Sequence, residues 1–169
     1  MSRYRLAVFS IFLLVVWIAG LRPWARAQTS SADLLEKNAR AIHERIIVLD
    51  THVDFSPNNL AGERNYTQRL DTQFNLPKMV AGGVDAVFLS VYVRQTREAQ
   101  NPDAFKAAGY ERAYAAAIEK FDAIHRFAAE IARDRIELAF TSADLRRIVA
   151  QGKKAVLIGV ENGYPLGED

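Results

Sequence analysis

The 169-residue chain contains no cysteine. That excludes structural disulfides, thiolate metal sites and the lipid-bearing cysteine of a bacterial-type lipoprotein. Any metal must therefore be held by histidine, aspartate or glutamate. Histidine itself is scarce, with only His43, His52 and His125 present. No glycine-rich phosphate loop follows the first internal apolar run, which weakens a nucleotide-binding reading. No basic patch argues for nucleic acid, and no internal repeat or low-complexity tract is evident.

What is present starts with an export signal. Arg3 and Arg5 precede an almost wholly apolar stretch over residues 6–21, and Ala25-Arg26-Ala27 has the small-x-small form of a cleavage site. These features predict a secretory signal peptide over 1–27 and an exported mature chain, periplasmic or secreted, over 28–169. The alternative is an uncleaved signal that anchors the chain. The whole sequence carries 22 basic and 20 acidic residues. Residues 1–27 hold four arginines and no acid, so the remainder has 18 basic against 20 acidic residues, a net charge of −2. The basic pI is thus partly a property of the leader.

Periodicity then sets the fold class. Leu34, Leu35, Ala39 and Ile42 recur at helical spacing, which predicts a helix over 32–44. Residues 45–50 (RIIVLD), 84–93 (VDAVFLSVYV), 136–140 (IELAF) and 155–160 (AVLIGV) read as buried strands. A polar, irregular loop fills 51–74, and a short helix is expected over 76–81, closed by Gly82-Gly83. A long helix is expected from Asn101 to about Asp134, with Tyr110, Tyr114, Ala117, Phe121, Ile124, Ala128 and Ile131 as its apolar face. Thr141 and Asp144 resemble a capping box for a helix to about Ala150. Apolar strands alternating with amphipathic helices imply a parallel α/β sheet. An open doubly wound sheet and part of a (β/α)8 barrel both fit.

In such folds function collects at the carboxyl ends of strands. The first strand runs into Asp50-Thr51-His52-Val53-Asp54. In extended backbone Asp50, His52 and Asp54 point to one side. An imidazole and carboxylates aimed at one point suit zinc or a similar divalent ion. The bland alternative makes the two aspartates loop or capping residues. Glu161 directly follows AVLIGV, and in a barrel its side chain could reach the same mouth. His43 and His125 fall on helices and are expected to be surface or packing residues.

Three segments together resemble one family, the membrane (renal) dipeptidases, which are zinc-dependent barrels of amidohydrolase type. VLDTHVD is similar to the family's first-strand D-x-H-x-D motif. FNLPKMVAGGVDAVFLSVYV is similar to the stretch where a leucine-proline turn precedes A-G-G-V and a strand ending in S-V-Y-V. AVLIGVENG is similar to the strand bearing the bridging glutamate. Their order and separation also match, over about residues 32–167.

The resemblance implies that His52 and Asp54 ligate a first Zn2+, that Glu161 bridges two Zn2+, and that Asp50 supports the strand end. It implies dipeptide substrates, some with a D-residue at the carboxyl end, hydrolysed by a metal-activated water. It also implies an amidohydrolase-like (β/α)8 TIM-like barrel, which takes roughly 250 residues, so that this chain covers about the first half. The histidines of the second zinc, a substrate-contacting histidine and a late aspartate have no matching positions. The chain is therefore expected to be truncated and inactive alone, and exposed strand edges would favour a homodimer. Asn162 and Tyr164 stand where a glycine and a histidine often follow the bridging glutamate. The alternatives are a non-catalytic binding remnant of the same fold and a related metallohydrolase acting on another amide.

Overall fold

The computed structural model describes residues 30–95 and 100–168. The signal-peptide expectation over 1–27 lies outside them. Two compact units are distinguished, Met1–Ala39 and Arg40–Asp169. The described part of the first is the start of helix α1 (Ser31–His43), capped reciprocally by Ser30 and Asp33: each side chain accepts the other's backbone N–H, at 3.1 and 3.0 Å. No residue of α1 is buried, and Leu34 and Leu35 face solvent.

The second unit carries the sheet. Its elements are β1 (Leu49–Val53), α2 (Leu76–Gly82), β2 (Ala86–Tyr92), α3 (Ala107–Arg126), β3 (Ile136–Leu138), α4 (Ser142–Ala150) and β4 (Lys154–Glu161). Among the described residues no helix is long and apolar enough to cross a membrane. All pairings are parallel, in the order β1-β2-β4-β3. Among the described residues four strands are present as expected, but not in the serial order of a barrel wound along the chain. β2 and β4 pair from Ala86↔Ala155 to Tyr92↔Glu161, whereas β3 offers three residues and pairs only with the start of β4.

Side-chain alternation assigns the helices to faces. Val87, Leu89, Val91 and Val156 share a core with Ala117, Ile124 and Phe127 of the α3 region. Ala86 and Ala155, one position out of phase, cluster instead with Ile148 of α4. Helices thus cover both faces of the described sheet, whereas in a closed barrel they lie only outside.

Three boundaries differ from expectation. The first strand begins at Leu49 rather than Arg45, because the turns that end α1 run on through Arg45, whose N–H donates to the Ile42 carbonyl. Ile46 and Ile47 are consequently exposed. The third strand stops at Leu138, leaving Phe140 exposed. The long helix starts at Ala107, and its buried face is Gly109, Ala113, Ala117, Ala123 and Ile124. Tyr114, expected in the core, is 57% exposed, and Ile131 is also exposed. Gly109 is required by the turn that precedes the helix: a Cβ there would lie 2.1 Å from the Ala104 carbonyl oxygen. Phe127, three residues past Ile124 on the same helical face, is buried, and a π turn over Phe127–Ile131 follows from it.

A largely buried carboxylate ties the amino ends of β1, β2 and β4 together. Asp85 accepts the Val48 N–H at 3.0 Å and the Lys154 ammonium at 3.0 Å. Asp85→Ala leaves both donors without their acceptor and is expected to cost about 2–3 kcal/mol in urea denaturation. A loss inside the scatter of surface substitutions, about 0.5 kcal/mol, would show that the clamp carries no weight.

The capping box of α4 is formed as expected. Thr141 Oγ1 accepts the Asp144 N–H at 3.1 Å, and Asp144 Oδ2 accepts the Thr141 N–H at 3.0 Å. Removing this cap with Thr141→Ala should cost about 1 kcal/mol at neutral pH. The Thr141 hydroxyl is also the largest influence holding the Asp144 carboxyl below its ordinary value of 3.8; desolvation opposes it, and the backbone N–H groups of Phe140 and Thr141 reinforce it. A depressed folded value gives stability that is present above the unfolded value and lost as pH falls through the folded one. Thermal unfolding should therefore show the gap between Thr141→Ala and the unsubstituted chain narrowing in acid. A gap independent of pH would contradict this coupling.

Candidate metal centre

The centre is built at the carboxyl ends of β1 and β4. β1 pairs Asp50 with Val87 but Val53 with Leu89, so it carries one extra residue, a bulge, between them. Bulges commonly re-aim side chains near sites. Within it the His52 N–H is accepted by the Asp50 carboxylate, Oδ1, at 3.0 Å. Val53 is buried against the core, while His52 and Asp54 are exposed. Glu161 closes β4, in register with Tyr92 of β2.

His52, Asp54 and Glu161 each offer a ligand atom, and these atoms all lie within 4.8 Å of one another. His52 Nε2 is 3.3 Å from Glu161 Oε2 and 3.6 Å from Asp54 Oδ1. Charge-assisted N–H···O bonds are shorter, about 2.7–2.9 Å. Ligand atoms placed tetrahedrally at zinc distances of about 2.0–2.1 Å stand roughly 3.3 Å apart. The spacing therefore fits donors around one ion better than a direct imidazole–carboxylate pair. The donor set, one nitrogen and carboxylate oxygens without sulfur, also suits zinc or a similar divalent ion. Exposure of 54% for the His52 side chain, 83% for Asp54 and 41% for Glu161 leaves the cluster open to an ion and to a further ligand.

The structure thus brings His52, Asp54 and Glu161 together and places Asp50 behind His52. His43 and His125 are exposed on helices and do not join the cluster. The two departures after Glu161 have structural roles. Asn162 takes a left-handed φ of 65°, the conformation glycine adopts freely and asparagine tolerates. The Tyr164 hydroxyl turns away and donates to the Ala104 carbonyl at 2.6 Å, with its ring against Phe105 and Tyr110.

Two features escaped the sequence reading. A cleft of about 810 Å³ opens beside His52 and Asp54, lined also by Phe55, Tyr66, Asp71 and Lys78. Much of its wall comes from the irregular 51–74 loop, where no periodicity reveals facing residues, and Lys78 and Met79 of α2 and Val87 of β2 contribute to the rest. The other is Ser90, buried in β2, whose hydroxyl lies 3.4 Å from Glu161 Oε2. Its signal was a lone polar residue inside an apolar strand.

The family of membrane dipeptidases, peptidase family M19, matches residues 36–169. This chain belongs to that family. A curated relative of this membrane dipeptidase family member is Dipeptidase tcpJ of Claviceps purpurea (strain 20.1), 33% identical over 101 residues, covering 60% of this chain and 23% of the relative. Two solved structures share its fold. The probable dipeptidase PvdM from Pseudomonas aeruginosa superposes with a TM-score of 0.63 at 20% identity, over 80% of this chain and 33% of that one. Dipeptidase AC, a metallopeptidase of family M19, gives a TM-score of 0.54 at 24% identity, over 72% of this chain and 38% of that one. The chain thus spans well under half the length of each of these membrane dipeptidase relatives.

Proposed function

We propose that the chain is the metal-bearing amino-terminal part of an exported zinc dipeptidase. His52, Asp54 and Glu161 hold the first ion, and the second carboxylate oxygen of Glu161 is available to a second. The observation that carries this reading is the meeting of the three ligand atoms within 4.8 Å at the ends of β1 and β4. Family membership and the dipeptidase relatives supply the substrate class. The leader-like residues 1–27 support export.

In this reading β1, β2 and β4 are neighbouring strands of a (β/α)8 barrel, and β3 with α4 is an excursion between two of them. Their adjacency in the sheet and the likeness in fold to PvdM support it. When bound, the metal supplies polarisation of a carbonyl and a lowered pKa for water. The protein's own contribution is orientation. His52 presents Nε2 from the bulge that Asp50 braces, and Asp54 and Glu161 supply negative charge around it. The adjoining cleft is lined by Phe55 and by Lys78, whose ammonium is held by the Thr72 carbonyl and brings positive charge suited to a carboxylate.

The test is equilibrium dialysis of the chain against Zn2+ followed by elemental analysis, with hydrolysis of L,L- and L,D-dipeptides assayed in parallel. Stoichiometric zinc is expected. A chain that retains no zinc would overturn the metal centre, and turnover of cyclic amides in place of dipeptides would redirect the substrate.

A further inference from the structure

We propose that Ser90 is a positioning residue for the metal centre: its buried hydroxyl holds the Glu161 carboxylate in the orientation that faces His52. This rests on the metal reading above. Three polar or charged residues are buried among those described, Asn65, Asn75 and Ser90. Asn65 and Asn75 hydrogen-bond to nearby backbone, in the 62–67 loop and at the start of α2. Ser90 instead lies 6% exposed in the middle of β2, in the run AVFLSVY, and its hydroxyl donates to Glu161 Oε2 at 3.4 Å. A hydroxyl buried among aliphatic side chains is retained only with a partner, and here the partner is a candidate ligand.

The sheet register makes the contact possible. Ser90 is opposite Gly159, and Glu161 is two residues further along β4, on the same face. Gly159 projects no side chain between them, so the Glu161 carboxylate can fold back over the sheet. The oxygen Ser90 touches, Oε2, is also the one 3.3 Å from His52 Nε2. The Ser90 hydroxyl, at the long end of hydrogen-bond distance, and the imidazole thus meet the same carboxylate oxygen.

The experiment titrates the full chain with Co2+ alone and follows visible absorption, for the unsubstituted chain, Ser90→Ala and Ser90→Thr, with thermal unfolding of each metal-free protein as a control. Partners behind metal ligands typically govern affinity by about 10–100-fold. Ser90→Ala should weaken Co2+ binding at least about tenfold at unchanged metal-free stability, and Ser90→Thr, which keeps the hydroxyl, should restore it. If the alanine variant fails to fold, Ser90→Cys keeps the volume with a weaker donor and should show the same direction of loss. Equal affinity in Ser90→Ala and the unsubstituted chain would overturn the Ser90 role alone, as would equal losses in the alanine and threonine variants. No Co2+ uptake by the unsubstituted chain would overturn the metal centre itself, and the Ser90 role with it.

Discussion

Replacing His52 by alanine is expected to lower the affinity of the chain for Zn2+ by more than about a hundredfold, beyond the range seen when partners behind the ligands are removed. His52 is the one nitrogen donor of the cluster, and its Nε2 stands between the two carboxylates at 3.3 and 3.6 Å. Without it Asp54 and Glu161 leave an oxygen-only pair, which suits magnesium or calcium rather than zinc. Selectivity should therefore fall along with affinity. Competition against a chromophoric chelator measures both. His125→Ala, on the exposed side of α3, serves as the control and should bind zinc normally. Equal zinc retention by His52→Ala and the unsubstituted chain would remove His52 from the site.

Phe127→Ala is expected to destabilise the chain by about 3–5 kcal/mol, the range for a fully buried aromatic. Phe127 is 1% exposed and lies in the core with Ile124, Ile136 and Val156. It sits at the π turn, where the Ala132 N–H donates to its carbonyl at 2.8 Å, so the surrounding backbone is fixed and cannot collapse into the void. Domains of this size have total stabilities of about 5–15 kcal/mol, so the variant stands near the limit of folding. Phe127→Leu keeps most of the volume and should cost less than about 1.5 kcal/mol. Urea denaturation of the two variants checks the pair. A loss below about 1 kcal/mol for the alanine variant would mean that this part of the core is loosely packed.

The strands were legible in the sequence because continuous aliphatic runs such as AVFLSVY have few other uses. Their order was not, because it depends on long-range pairing: β4 takes the free edge of β2 in a seven-residue ladder, and the three-residue β3 lies on the other edge of β4. The face of the long helix was legible at Ala117, Phe121, Ile124 and Ala128 but not in the first turns, where Tyr114 is exposed and the small residues Gly109 and Ala113 are buried. The D-x-H-x-D spacing singled out His52 and Asp54, and the structure brings both beside Glu161 although the strand is bulged between Asp50 and Val53. The bulge was not foreseeable, since no residue type within it demands one. Ser90 could have been singled out, because a serine inside such a run has little reason to be there without a partner.

The position of β4 also constrains the order of assembly. β1 and β2 can pair as soon as both exist, but among the described residues β3 has no strand neighbour except β4. During synthesis β3 must wait, unpaired, until α4 and β4 have followed it. β4 then enters between two strands already made, bringing Glu161 with it as its last residue. Closing contacts across so long a stretch of chain is the slow part of folding. The third ligand thus reaches His52 and Asp54 only when β4 has docked on β2, and an ion that captures all three donors would select chains in which that insertion has taken place.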